Sequence, residues 1–152
     1  MSRRLQRQSG LTVLELVIAI TILALLATMG LVGYRKGLVR AREVQAVGDI
    51  AHLAEDIKDY YAAHWELPES LDQVGGEVPL DPWGHPYQYY RIPVLDPAGC
   101  REAQNHDPLN SDYDLYSLGP DGATAVWVLE ENGLDDIVRA GDGAYIGVAE
   151  KY

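Results

Sequence analysis

The chain has 152 residues and a formal net charge of −11, from 12 lysines and arginines against 23 aspartates and glutamates. A hydrophobic content of 47% is too high for a disordered chain, and the one cysteine excludes an intrachain disulfide framework. The acidic balance argues against a nucleic-acid partner, because binding of phosphates requires a basic surface.

Charge is distributed unevenly along the chain. Residues 1–10 hold three arginines and no acid, whereas residues 65–152 hold 17 acids and 4 bases, a net charge of −13. Positive residues next to a membrane span stay on the cytoplasmic side. The order of a basic tip, an apolar run and an acidic body therefore predicts a single-pass orientation with the body on the far side of the membrane.

The first predicted element is the apolar run of residues 11–31 (LTVLELVIAITILALLATMGL), in which Glu15 is the one charged residue. As a helix this run would span about 31 Å, the hydrocarbon thickness of a bilayer. A cleaved secretory signal peptide and a plain membrane anchor are two alternatives. Neither explains Glu15, because a carboxylate inside a bilayer costs several kcal/mol and is usually present for a partner.

A partner for Glu15 arises if the chain is cut after Gly10. Cleavage there leaves a free amine on Leu11, four residues before the carboxylate. The amine of one helix and the carboxylate of a parallel neighbour then lie at nearly the same membrane depth. At ~4 Å and an effective dielectric of ~20, such a pair gains on the order of 4 kcal/mol before desolvation. The spacing therefore predicts lateral assembly through the apolar helix.

The stretch Gly10–Glu15 (GLTVLE), with its basic leader and the apolar run, resembles the type IV prepilin signature. That signature has Gly at −1, Thr at +2 and Glu at +5 relative to the cleavage site. The resemblance implies that a prepilin peptidase cuts after Gly10 and methylates the amine of Leu11. It also implies that Glu15 pairs with the N-terminus of a neighbouring subunit in a filament. Leu11 departs from the family, in which Phe or Met is more usual.

No proline occurs between residues 11 and 67, and apolar or small residues recur with helical spacing from 44 to 61. The pattern predicts one long helix over about residues 11–64. We therefore divide the chain into four predicted parts, which are a cleaved leader (1–10), a transmembrane and assembly segment (11–33), the amphipathic half of the helix (34–64) and a globular head (65–152).

After Pro68 the sequence changes to loops punctuated by proline and glycine, with short strand candidates between them. Asp121-Gly122 lies between two of these candidates and reads as a hairpin turn. The predicted fold class is α+β and type IV pilin-like, with a long N-terminal helix packed on a small antiparallel β-sheet. The predicted strands cover residues 87–92, 113–118, 125–129 and 145–149.

Two motifs in the head are similar to those of the major, G-type pseudopilins of type II secretion systems. They are residues 81–87 (DPWGHPY) and 113–122 (YDLYSLGPDG), and an Asp136-Ile137 pair follows them. The resemblance implies a structural, non-enzymatic subunit that forms a homopolymer, the periplasmic pseudopilus, and drives protein secretion across the outer membrane. The implied location is the inner membrane, with the head in the periplasm. The implied partners are minor pseudopilins, the prepilin peptidase, an inner-membrane assembly platform with its ATPase, and an outer-membrane secretin.

The same resemblance implies a calcium ion in the loop after the second motif. Its ligands would be the carbonyl of Leu118, the side chain of Asp121, and Asp135 or Asp136, since calcium prefers oxygen donors. The loop departs from the family, because residues 123–129 (ATAVWVL) replace the usual stretch rich in glycine and glutamate. The alternative is that Asp121 is a turn residue and that the Asp135-Asp136 pair forms a solvated corner or a helix cap.

Two other functions stay open on the sequence. A type IV pilin of a surface filament shares the signature, although such pilins commonly carry a C-terminal disulfide loop that one cysteine cannot form. A membrane-anchored periplasmic enzyme would use Asp112 and Asp114, which would share one face of a strand, as an acid–base pair. The chain contains no phosphate loop, so the energy for any movement would come from a partner.

Overall fold

The computed structural model describes residues 12–93, 99–103 and 105–152. The chain divides into two compact units, residues 1–39 and residues 40–152. The long helix α1, Val13–His64, contributes residues to both units. A continuous helix over this range confirms the prediction made from the absence of proline and the helical spacing.

In the first unit, α1 presents an apolar surface on all sides. Its large apolar side chains from Val13 to Leu31 are 48–80% exposed. The hydroxyls of Thr21 and Thr28 donate to backbone carbonyls one turn earlier, at 2.7 and 2.8 Å, so their polar groups are satisfied within the helix. Among the described residues, α1 is the one helix long and apolar enough to cross a membrane.

In the second unit, α1 buries one stripe against a sheet. Ala46, Ile50 and Ile57 are fully buried, and their spacing places them on one face of the helix. Val44 and Tyr61, at the two ends of the predicted stripe, are 65% and 46% exposed. The buried stripe is therefore shorter than the sequence pattern indicates.

The sheet has four antiparallel strands, each paired with the next in the chain. This architecture confirms the predicted α+β class. The strands are β1 (Gln88–Arg91), β2 (Tyr113–Ser117), β3 (Ile137–Ala140) and β4 (Tyr145–Val148). The remaining elements are the short helix α2 (Asp72–Gly75) and three 3-10 turns at Glu131–Gly133, Gly141–Gly143 and Ala149–Lys151.

Side chains on the two faces of the sheet belong to two separate cores. Leu115 and Ile137 pack with the buried stripe of α1. Val138 and Ala140 pack on the opposite side with Leu109. Because side chains alternate along a strand, β2 and β3 contribute to both cores, and the loop around Leu109 covers the face that α1 leaves open.

The structure differs from the predictions for the head in three respects. Residues 125–129 form no strand, since Trp127 makes one isolated bridge to Glu102 and the residues around it form turns. Strand β3 is absent from the predicted strands because all four of its residues are buried, which removes the alternation of apolar and polar residues that marks a half-buried strand. Asp121-Gly122 is a turn, but the connection it belongs to runs from residue 118 to residue 136 and is not a hairpin.

Candidate functional site

The first turn of α1 contains reciprocal hydrogen bonds between Thr12 and Glu15. The backbone N–H of Glu15 donates to Thr12 Oγ1 at 3.2 Å, while the N–H and hydroxyl of Thr12 donate to Glu15 Oε2 at 2.9 and 2.8 Å. This arrangement is a capping box, which satisfies N–H groups that a helix start leaves unpaired. Both residues are exposed. A Thr followed three residues later by a Glu is the sequence signal of this cap, and the charge-pair interpretation of Glu15 overlooks it.

The other two residues of the predicted processing site, Gly10 and Leu11, lie outside the described residues. Cleavage after Gly10 and methylation of Leu11 stay predictions from the sequence, as does pairing of Glu15 with a second subunit. The structure adds that the Glu15 carboxylate has donors of its own within the helix that carries it.

In the head, the buried carboxylate of Asp81 joins the two sequence motifs. Its Oδ1 accepts the backbone N–H groups of Trp83 and His85 at 3.0 and 2.9 Å, which closes the turn of the first motif. Its Oδ2 accepts the hydroxyl of Ser117, the last residue of β2, at 2.5 Å. The ring of His85 covers Gly122, where a Cβ would lie 2.8 Å from Nε2. The two motifs therefore pack directly against each other.

Two of the residues predicted to bind calcium meet at a corner of the loop. The backbone N–H of Asp121 donates to Asp135 Oδ2 at 3.4 Å, and Asp121 Oδ1 accepts the N–H of Ala123 at 2.8 Å. Burial and the nearby charge of Asp121 raise the pKa of Asp135. Leu118 precedes this corner, directly after β2. Asp121 thus makes the side-chain-to-backbone bond of an Asx turn, which is the simpler of the two interpretations of this residue.

Asp136, the fourth of these residues, is fully buried and is paired with an arginine. Arg101 Nη2 and the hydroxyl of Thr124 each donate to Asp136 Oδ2 at 2.6 Å. The guanidinium also lies 4.1 Å from the ring centroid of Tyr116. Burial raises the pKa of Asp136 to about 6, although the Arg101 charge and the two hydrogen bonds act in the opposite direction.

These donors do not fit the shell of a calcium ion, which takes about 6–8 oxygen ligands. Oδ2 of Asp136 is engaged by the Arg101 guanidinium, so the remaining predicted donors are its Oδ1, the carboxylates of Asp121 and Asp135 and the carbonyl of Leu118. Across residues 12–93, 99–103 and 105–152 there is no group of three or more His, Cys, Asp or Glu side chains that could hold a metal ion. Calcium binding stays a prediction that the donor geometry does not favour.

Asp112 and Asp114, the acid–base pair that a periplasmic enzyme would use, also form hydrogen bonds and ion pairs within the head. Arg139 donates to both carboxylate oxygens of Asp112 at 2.8 Å. Asp114 is buried and accepts the backbone N–H of Arg101 at 2.6 Å and the amide of Asn110 at 2.9 Å. A cavity of about 520 Å³ between α1 and the sheet is lined in part by Asp112 and Arg139. Because Arg139 occupies both of its oxygens, Asp112 presents an ion pair to this cavity and not a free base.

Arg101 and Arg139 are two buried charged residues that lie outside the sequence motifs. Arg101 and Arg139 each stack on a tyrosine of β2 and each pair with an aspartate. Arg139 has a local signal, because it stands among the apolar residues of β3. Arg101 has none, since its partners Thr124 and Asp136 lie 23 and 35 residues away.

Comparison with known proteins gives matches at the N-terminus and over most of the chain. Residues 5–31 match the family model of the prokaryotic N-terminal methylation motif. The type II secretion system core protein G of Xanthomonas campestris pv. campestris is 33% identical over 132 residues, covering 76% of this chain and 80% of the relative. The chain belongs to the type II secretion system core protein G family.

Other members of the core protein G family align over similar lengths. The protein of Pseudomonas aeruginosa is 27% identical, with 80% of this chain and 89% of the relative covered. That of Aeromonas hydrophila is 28% identical, with 86% and 90% covered. The family resemblance inferred from the prepilin signature and the two head motifs is therefore confirmed.

Proposed function

We propose that this chain is the major structural subunit of a type II secretion pseudopilus, which polymerises through its N-terminal helix and supports protein secretion. The proposal rests on the surface of the part of α1 that belongs to the first unit. This part presents large apolar side chains on every side and has one carboxylate, Glu15, in its first turn. Membership of the core protein G family and the methylation motif at residues 5–31 agree with this role.

Exposed apolar residues over 18 or more positions need lipid or other helices around them, because water would make their exposure costly. Parallel packing of several such helices would bury the same apolar side chains without lipid. We infer that the subunit is held in the inner membrane before assembly and that the first unit of α1 forms the axis of the filament afterwards. The head then lies in the periplasm, as the basic leader requires.

Glu15 gives this packing its register. After removal of the leader, the amine of Leu11 in one subunit approaches the Glu15 carboxylate of the next. The capping box already orients that carboxylate toward the N-terminal end of its own helix, through Thr12. Assembly would add a charged donor to an acceptor that is held in position, so less side-chain entropy is lost than for a free Glu.

The head supports a structural role and not an enzymatic one. The carboxylates of Asp112, Asp114 and Asp136 are held by Arg139, Arg101 and their neighbours. The expected partners are those of a secretion machine: minor pseudopilins at the filament tip, the prepilin peptidase, an assembly platform with its ATPase, and an outer-membrane secretin.

Replacement of Glu15 by Ala tests the proposal in cells that carry the complete secretion system. We expect a processed, membrane-resident protein that forms no filaments and supports no secretion. Asp59→Ala, which removes an exposed carboxylate of α1 in the second unit, is the matched control and should assemble normally. Mass spectrometry of the mature protein should find a methylated Leu11 at the N-terminus.

Three results would count against the proposal. Filaments of Glu15→Ala at normal yield would remove the charge pair, and an uncut N-terminus would remove the processing step. Surface filaments that persist when the secretion genes are deleted would favour a type IV pilin instead.

A further inference from the structure

We propose that the guanidinium of Arg101 supplies, from within the chain, the positive charge that the family resemblance assigns to calcium, so that the head folds and stays folded without a metal ion. Arg101 itself lies in the connection between β1 and β2, and its guanidinium reaches the connection between β2 and β3, in which the calcium ligands are expected. The guanidinium contacts that connection at two points, Thr124 and its last residue, Asp136.

Arg101 binds two oxygen atoms of the connection between β2 and β3, as a bound metal ion would. Nη1 donates to Thr124 Oγ1 at 2.6 Å, and Nη2 donates to Asp136 Oδ2 at 2.6 Å. Thr124 lies just after the Asp121 turn, and Asp136 lies just before β3. One guanidinium therefore fixes two points that are twelve residues apart, and charge-assisted bonds of this length are strong.

Arg101 is itself held in place from two directions. Its backbone N–H donates to the buried carboxylate of Asp114 at 2.6 Å, and its guanidinium stacks on Tyr116 at 4.1 Å. The side chain is 5% exposed. Because an arginine is always protonated, this cation is present whatever the concentration of calcium in the surroundings.

A second cation at the same carboxylate is disfavoured. Calcium at Asp136 would lie near the guanidinium charge, and like charges repel strongly in a buried site.

Thermal unfolding of the full-length protein in detergent micelles tests the inference, with tryptophan fluorescence as the signal. All three tryptophans lie in residues 65–152, so the signal reports on the head. We expect the same melting temperature in EGTA and in excess calcium chloride, and no saturable heat when calcium chloride is titrated into the protein. A rise in melting temperature with calcium, abolished by Asp121→Asn or Asp135→Asn, would overturn the inference and establish a calcium site at the loop corner.

Variants of the arginine provide the second arm. Arg101→Met should lower the melting temperature by at least about 10 °C in both media, because it leaves a buried carboxylate without its counter-ion. Arg91→Met is the matched control: it removes a pair with Glu66 whose side chains are 38% and 65% exposed and one bond to the carbonyl of Leu67, so it should lower the melting temperature much less than Arg101→Met. An unchanged melting temperature in Arg101→Met would also overturn the inference.

Arg101→Lys covers the case in which the Met variant does not fold. Lysine keeps the charge and loses the planar fork, so we expect a melting temperature between those of the wild type and Arg101→Met, and again no response to calcium chloride. A calcium-dependent melting temperature in the wild type decides against the inference whatever the variants do.

Discussion

The hydroxyl of Ser117 donates to the buried carboxylate of Asp81 across 36 positions of the chain, at 2.5 Å. The same carboxylate closes the turn of the first motif through the N–H groups of Trp83 and His85. A single side chain therefore satisfies polar groups of both head motifs and links the first motif to the last residue of β2.

Asp81→Ala should destabilise the head by about 2–4 kcal/mol, because it leaves two backbone N–H groups and a buried hydroxyl without an acceptor. Chemical denaturation followed by tryptophan fluorescence measures the change. Asp107→Ala is the control, since Asp107 is exposed and a loss of the same size there would show that acidic residues contribute through the net charge instead.

Gly122→Ala should destabilise the head by about 1–3 kcal/mol, for two separable reasons. Gly122 has a φ of +69°, and a Cβ would lie 2.8 Å from His85 Nε2. The double variant His85→Ala/Gly122→Ala removes the contact and keeps the backbone strain. A double-mutant cycle should therefore show a coupling energy between the two sites, and additive effects would disprove the close packing of the two motifs.

Thr12→Val removes the hydroxyl of the capping box and keeps the size of the side chain. We expect amide exchange in the first turn of α1 to become about fivefold faster, corresponding to about 1 kcal/mol for the lost cap. Hydrogen exchange measured by NMR in micelles gives this rate. Thr12→Ser retains the hydroxyl and should exchange like the wild type; equal rates in the Val and Ser variants would show that the cap does not stabilise the turn.

The stability of the head should depend on pH through Asp136, whose pKa burial raises to about 6. A carboxyl group with a higher pKa in the folded state binds its proton more tightly when folded. Its contribution to the free energy of unfolding therefore decreases as the pH rises from about 4 to about 6 and is constant above that range.

Denaturation of the wild type and of Asp136→Asn over this pH range measures the effect. The variant is less stable overall, because Arg101 loses its counter-ion, so the slope against pH is the informative quantity. We expect the wild-type slope to be more negative than that of the variant between about pH 4 and about pH 6. Parallel slopes, or a carboxyl carbon of Asp136 that titrates near about 4 by NMR, would contradict the assignment.

Much of the fold follows from short-range patterns in the sequence. Helix α1 follows from the missing prolines and the spacing of Ile50 and Ile57, and strands β1, β2 and β4 lie within their predicted ranges. The prediction of a strand at 125–129 is wrong, because an apolar composition does not show which residues are the backbone hydrogen-bond partners of a segment. Val128 donates to the carbonyl of Glu102, and that contact is set by a loop distant in sequence.

The candidate site divides in the same way. Glu15 can be identified from the sequence because its apolar surroundings are local, and its cap with Thr12 is a three-residue pattern. The pairing of Arg101 with Asp136 has no local pattern, since it depends on the chain path of the whole sheet. The two adjacent residues Asp135 and Asp136 also have different surroundings, which the sequence alone cannot distinguish.

The capping box at the start of α1 has a consequence for the reversibility of the polymer. In the proposed polymer, a subunit that leaves its neighbours would not expose a bare ion to lipid, because the Thr12 hydroxyl and N–H would remain on the Glu15 carboxylate. The cost of extraction from the fibre, and of return to it, is lowered by the same two bonds. In the proposed polymer, entry and exit of a subunit would therefore pass through the same state, the single helix in the bilayer.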